Sequence, residues 1–247
     1  MNSQALPIIS LACLAIGTSA SLLAQDSADS KTAAPLKSAE ESGWELVFSD
    51  DFEREELGQD WEVVDGDWTV EEGALRGSGM LISARGFPGD FPTGFLRMEF
   101  EATSDVEPMI FFKDQPKPKV GLGDMSSFIH VPPTNENQRF PWATGYFFQF
   151  GGQNNTMNKI LRSGEVVAEK SDPQKTIHQD VPHKIVVEND EGTLRFYVDG
   201  DLLFEEDEPR SVLGDGFDRV GLFFYTKAKV SSLKVYTKRL PNDLDLD

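Results

Sequence analysis

The chain of 247 residues carries 42 acidic against 23 basic side chains, a formal net charge of −19. That field opposes phosphate backbones and anionic lipid, so nucleic acid and a membrane surface are poor partners, and the charge reads as a means of keeping an exported protein soluble. With 39% hydrophobic residues, 18 of them phenylalanine, and one cysteine, Cys13, the chain has apolar material for a sizeable core but no disulfide framework or cysteine metal site.

Residues 6–16 are nearly all apolar and are followed by Gly17, Thr18, Ser19, Ala20 and Ala24. This is the pattern of an export signal, too short to span a bilayer, with cleavage expected after Ala20 or Ala24. The expected localisation is secreted or periplasmic, with no membrane partner once the signal is removed. Ser10 stands three positions before Cys13, where a lipoprotein usually has leucine. Residues 25–43 are small, polar and charged and are expected to form a disordered linker. The folded domain is expected over 44–239, with an acidic tail at 240–247.

Within the domain, apolar residues alternate with polar ones in short runs at 68–71, 80–84, 94–102, 108–113, 145–151, 159–162, 166–169, 184–189, 193–198, 202–205, 219–226 and 229–237. A period of two marks strands with one face on a core. Asp199-Gly200 and Glu191-Gly192 mark tight hairpins. No sustained period near 3.6 appears. A dozen or so strands with frequent turns predict an all-β fold, a two-sheet antiparallel β-sandwich. Residues 114–144, with Pro116, Pro118, Pro132, Pro133 and Pro141, read as a long irregular loop, either functional or an inert insertion.

Asp51-Phe52, Leu57-Gly58-x-x-Trp61 and Gly66-x-Trp68-x-Val70-x-x-Gly73-x-Leu75 resemble the opening of concanavalin A-like lectin/glucanase domains. The bacterial 3-keto-disaccharide hydrolase-like branch is the nearest in look. The runs at 182–187, 194–200 and 219–222 resemble the closing strands of laminin-G-like sandwiches. The resemblance implies a jelly roll and a carbohydrate ligand. It also implies an acid in a Gly-Tyr-Glu-x-Gln strand, where this chain has Gly145-Tyr146-Phe147-Phe148-Gln149. Phenylalanine moves no proton, and the paired acidic strand of the glucanases is missing as well. The expected function is therefore non-catalytic binding of a polysaccharide or oligosaccharide. A glycoside hydrolase or polysaccharide lyase with an atypical site, its acid to be sought in 114–144, is one alternative. A laminin-G-like protein-binding module is another.

Sugar recognition uses aromatic faces together with amides and cations. The candidates are His130, Trp142, Tyr146, Gln149, Asn154, Asn155, Lys159 and Arg162, with Arg139 beside them. Gln149 shares a strand face with Phe147, and Tyr146 takes the other face. Lys159 and Arg162 suit acidic substituents on a glycan or, alternatively, pair with surface acids. His130 is a possible general base, whereas His178 and His183 lack metal-motif spacing. No cofactor is expected. Asp65-Gly66-Asp67 and Asp199-Gly200-Asp201 are read as turns, with a structural calcium as the alternative.

Overall fold

The computed structural model describes residues 35–87, 95–104, 106, 109–111, 119–133, 145–209 and 216–238. All belong to the unit Ala33–Asp247. Residues 1–24 and 240–247, the expected signal and tail, lie outside them, as do Trp142 and Arg139.

The strands in chain order are β1 (Glu45–Asp50), β2 (Trp61–Glu71), β3 (Ala74–Ser83), β4 (Phe95–Thr103), β5 (Met109–Phe111), β6 (Lys119–Gly121) and β7 (Met125–Val131). They continue with β8 (Tyr146–Gly151), β9 (Met157–Arg162), β10 (Glu165–Lys170), β11 (Pro182–Asp190), β12 (Thr193–Val198), β13 (Asp201–Asp207) and β14 (Arg219–Thr237). Apart from a single 3₁₀ turn, Glu40–Ser42, and the short segment Gly152–Asn155, every described element is a strand.

The expected sandwich is built around β14. The runs expected at 219–226 and 229–237 are one strand, with a register shift between Phe224 and Ala228. Its first part pairs with β7 and β3, and its second with β4 and β1. One layer thus runs β10-β9-β8-β7-β14-β3-β2, and the other β13-β12-β11-β4-β14-β1. Sharing β14 makes the two layers a single hydrogen-bonded ladder folded over one core. Phe148 of β8 meets Phe196 of β12 edge to face at 5.6 Å, and Phe150 meets His183 of β11 at 5.2 Å. A fully buried phenylalanine contributes about 1.5–3 kcal/mol of transfer free energy, and Phe100, Phe148, Phe150, Phe196 and Phe224 all sit in this core.

The opening motif stitches β1 to β2. Asp50 accepts hydrogen bonds from the Trp61 indole, the Phe52 N–H and both terminal nitrogens of Arg54. Burial pushes the Asp50 carboxyl up, but these bonds outweigh it and hold it below the usual carboxylate range.

Two expectations need correction. The span 114–144 is not irregular throughout, because it contains β6 and β7, and β7 is a fully buried strand pairing with β8 and β14. Asp65-Gly66-Asp67 is not a turn but a stretch of β2 paired with β3. Gly66 (φ 85°) opposes Gly79 (φ 92°) there, and a Cβ on Gly66 would stand 2.0 Å from the Ser78 carbonyl oxygen. Asp199-Gly200 is a two-residue turn with positive φ at both positions, and Asp199 is tied to His183 Nδ1 at 2.8 Å. Among the described residues, no group of three or more carboxylate, imidazole or thiol ligands is placed to hold a metal.

Candidate functional site

Strand parity sorts the candidates. On β8, Tyr146, Phe148 and Phe150 point into the core, while Phe147 and Gln149 point out. On β14, Val220, Leu222 and Phe224 point in, while Phe223 and Tyr225 point out. The outward face carries a second apolar cluster of Met80, Ile82, Phe128, Val131 and Phe147, flanked by Leu161 and Phe223. Phe147 stacks on Phe128 at 4.7 Å.

Over this floor lies a cleft of about 450 Å³ lined by Phe147, Leu161, Phe223, Tyr225, Gly123, Asp124, Gln149, Lys159 and residues 151–154. Tyr225 is 59% exposed. Asp124 is only 5% exposed, and its Oδ2 accepts hydrogen bonds from Gln149 Nε2 at 2.9 Å and Ser126 Oγ at 2.8 Å. Burial raises the Asp124 carboxyl above the ordinary range, against the pull of those two hydrogen bonds. The cleft therefore offers an aromatic ring, side-chain amides and one carboxyl with a strengthened hold on its proton.

The amides come from two directions. Gln149 arrives on β8, pressed against Gly152, where a Cβ would stand 2.3 Å from the Gln149 side chain. Gln153 and Asn154 arrive on a left-handed turn, with φ, ψ of 52°, 51° and 62°, 49°. Asn155 continues it at φ 61°, and Gly151 precedes it at φ 79°. Left-handed backbone costs a non-glycine residue about 1–2 kcal/mol, so the turn needs holding. Asn155 donates to the Ile177 carbonyl at 2.6 Å and accepts from the Ile177 N–H at 2.7 Å. Asn158 accepts from the Gly151 N–H and donates to the Lys175 carbonyl, each at 3.0 Å.

The structure thus brings Gln149, Asn154 and Lys159 of the expected residues to one cleft. Asn155 supports it from behind, both ends of its amide committed to backbone. Lys159 is paired with Glu169 at 2.9 Å. Arg162, three residues from Lys159 and so on the opposite face of β9, is buried against Glu165 and Glu208. Tyr146 is fully buried in the core.

His130 is also a core residue. It is the extra residue of a β-bulge, with φ 56°, opposite the step from Arg219 to Val220. Its Nδ1 donates to the Phe217 carbonyl at 3.0 Å, and its Nε2 accepts from Asn189 Nδ2 at 3.1 Å. Burial lowers its pKa to about 4, so the ring is neutral.

No family model and no curated protein matches the chain. Solved structures do. A galectin-like-fold protein of unknown function from Bacillus subtilis matches with TM-score 0.54 and 14% identity, over 79% of this chain and 100% of that one. SCLam, a non-specific endo-β-1,3(4)-glucanase from family GH16, matches with TM-score 0.51 and 13% identity, over 83% and 95%. An endo-acting O-glycanase of the human gut microbiota matches with TM-score 0.51 and 14% identity, over 79% and 100%. The fold is a concanavalin A-like jelly roll.

On this jelly roll, sequence reasoning overlooked Asp124, Gln153 and Tyr225. Asp124 hides among the prolines and glycines of the expected loop. Tyr225 stands in a run read correctly as strand, two residues from Phe223, so parity alone places the two on one face. Gln153 adjoins the Asn154-Asn155 pair, whose turn chemistry drew attention away from it.

Proposed function

We propose that this chain is an exported carbohydrate-binding domain and that the cleft over Phe147 and Phe223 takes a polysaccharide without cleaving it. The observation that carries this reading is the exposed Tyr225 set beside Gln149, Gln153, Asn154 and the buried Asp124. An aromatic ring suits the C–H face of a pyranose, and amides and a carboxyl suit its hydroxyls. Two proteins of similar fold, a glucanase and an O-glycanase, both act on glycans. The position where the keto-disaccharide branch would place its acid is Phe147, buried in the aromatic floor.

Asp124 favours a second reading. A carboxyl that holds its proton can protonate a leaving glycosidic oxygen. Hydrolysis with two carboxyls needs a partner about 5–5.5 Å or 6.5–9.5 Å away, and among the described lining residues Asp124 is the one carboxyl. A glycan array, with reducing ends counted after long incubation, separates the two. Binding without new ends supports the recognition domain. New ends that disappear in Asp124→Asn establish catalysis. Tyr225→Ala is expected to lower glycan retention at least about tenfold, in line with an aromatic anchor. Unchanged retention would remove this cleft as the site.

A further inference from the structure

Joining two adjacent antiparallel strands takes no more than a two-residue turn, as Asp199-Gly200 does between β12 and β13. Between β8 and β9 the chain instead takes left-handed backbone at Gly151 and again at the non-glycine residues Gln153, Asn154 and Asn155. Glycine would occupy those positions without strain. The turn is nevertheless fixed from several sides. Asn155 grips both backbone groups of Ile177, Asn158 ties Gly151 to Lys175, and Thr156 Oγ1 donates to the Gln153 carbonyl at 2.8 Å.

What this scaffold presents is informative. Gln153, exposed, and Asn154, half-buried, line the cleft, and their side-chain amides make no hydrogen bond among the described residues. A strained backbone, several supporting bonds and two unengaged amides facing a cleft are what a built recognition element requires. We propose that residues 151–155 form the hydroxyl-reading grip of the cleft. Gln153 and Asn154 hydrogen-bond the hydroxyl groups of a bound glycan, and Asn155 and Asn158 are positioning residues that hold the turn. This rests on the carbohydrate reading given above and names the residues that select the ligand.

The substitutions that test it relieve strain while removing the amides. The full chain, Gln153→Gly, Asn154→Gly and Tyr225→Ala are measured for affinity to immobilised laminarin, xyloglucan, galactomannan and galactan, and for melting temperature. Each glycine variant is expected to melt within about 2 °C of the parent or above it, because glycine adopts positive φ freely. Each is expected to bind about tenfold more weakly, the effect of losing one or two hydrogen bonds from the complex. This split, with fold kept and affinity lost, is not what a merely structural turn would give. Glycine variants that bind like the parent overturn the grip, and the carbohydrate reading survives if Tyr225→Ala still weakens binding. If Tyr225→Ala also binds like the parent, or if the parent binds none of the four, the cleft reading and the grip fall together. Should a glycine variant melt early, Asn154→Asp keeps the turn preference and replaces the donor end of the amide with a carboxylate oxygen. Lost affinity there supports the grip, and unchanged affinity overturns it.

Discussion

His130 was a candidate base by its chemistry, and its surroundings give it a different role. The bulge swings its ring inward, where the Phe217 carbonyl fixes the proton on Nδ1 and Asn189 donates to Nε2. Burial holds the folded pKa at about 4, against an ordinary value of 6.5. Between those values the unfolded chain binds a proton that the folded one refuses. Stability therefore rises with pH through this window, and is lost as pH falls from about 6.5 toward 4. The shift corresponds to about 3 kcal/mol at the acid end. His130→Asn keeps a residue that tolerates positive φ but cannot titrate. At pH 7.5 the variant is expected to be less stable than the parent, having lost a fitted ring. By pH 4 the gap should close or reverse. Urea midpoints at pH 7.5, 5.5 and 4.5 test this, since other acids titrate in both proteins and cancel in the difference. A gap constant with pH would rule out the neutral buried imidazole. Asp124 has the opposite sign: burial raises its carboxyl, so its contribution to stability is lost as pH rises through the folded value.

At the scale of elements, one buried amide makes two of the bonds that hold the β8–β9 hairpin. Asn158, 2% exposed, pairs with the Gly151 N–H and the Lys175 carbonyl. Asn158→Ala leaves both backbone groups without that partner, and each buried group so stranded costs about 1–3 kcal/mol. A loss of about 2–4 kcal/mol in denaturant unfolding is expected, with weakened glycan binding alongside; a loss below about 0.5 kcal/mol would show that water replaces the amide. The strands themselves were legible where one face is polar, even where ion pairing buries part of it, as at Arg97 of β4. In β4, Leu96, Met98 and Phe100 are buried and alternate with Glu99 and Glu101, as period two requires. The strand β7 was not legible, because both of its faces are covered: Met125 and Ile129 join the main core, and Phe128 and Val131 join the outer cluster. Full burial erases alternation, and the prolines on either side then read as loop. Asp124 went unseen for the same reason. The placing of Arg162 with Lys159 failed on parity, which was available in the sequence: three residues apart on a strand means opposite faces. The left-handed turn at 151–155 could not be read, since its conformation depends on Asn155 and Asn158 reaching residues 175–177, and no local propensity encodes that reach.

On the proposed carbohydrate reading, the charge of the whole molecule decides which glycans can approach. The chain carries −19, and among the described lining residues the one cation, Lys159, is offset by its carboxylate partner Glu169. Lys159 is already paired with Glu169, Arg162 is buried on the other face of β9, and Asp124 lies at the floor. The sequence alone suggested that these two cations could receive carboxylates or sulfates on a sugar; their placement argues for an uncharged ligand instead. Carboxymethylation tests this because it adds negative charge to an otherwise unchanged backbone. Carboxymethyl-laminarin is expected to bind more weakly than laminarin at about 20 mM salt. The difference should shrink at about 500 mM, where screening acts within a few ångströms. Local steric rejection would also weaken binding, but it would persist at high salt, so the salt dependence isolates the electrostatic part. If the carboxymethylated chain binds more tightly at low salt, a local cation overrides the field of the whole protein, and Lys159 would have to exchange Glu169 for the ligand. Lys159→Met would then abolish the preference, whereas on the present reading it leaves the ranking of the two polysaccharides unchanged.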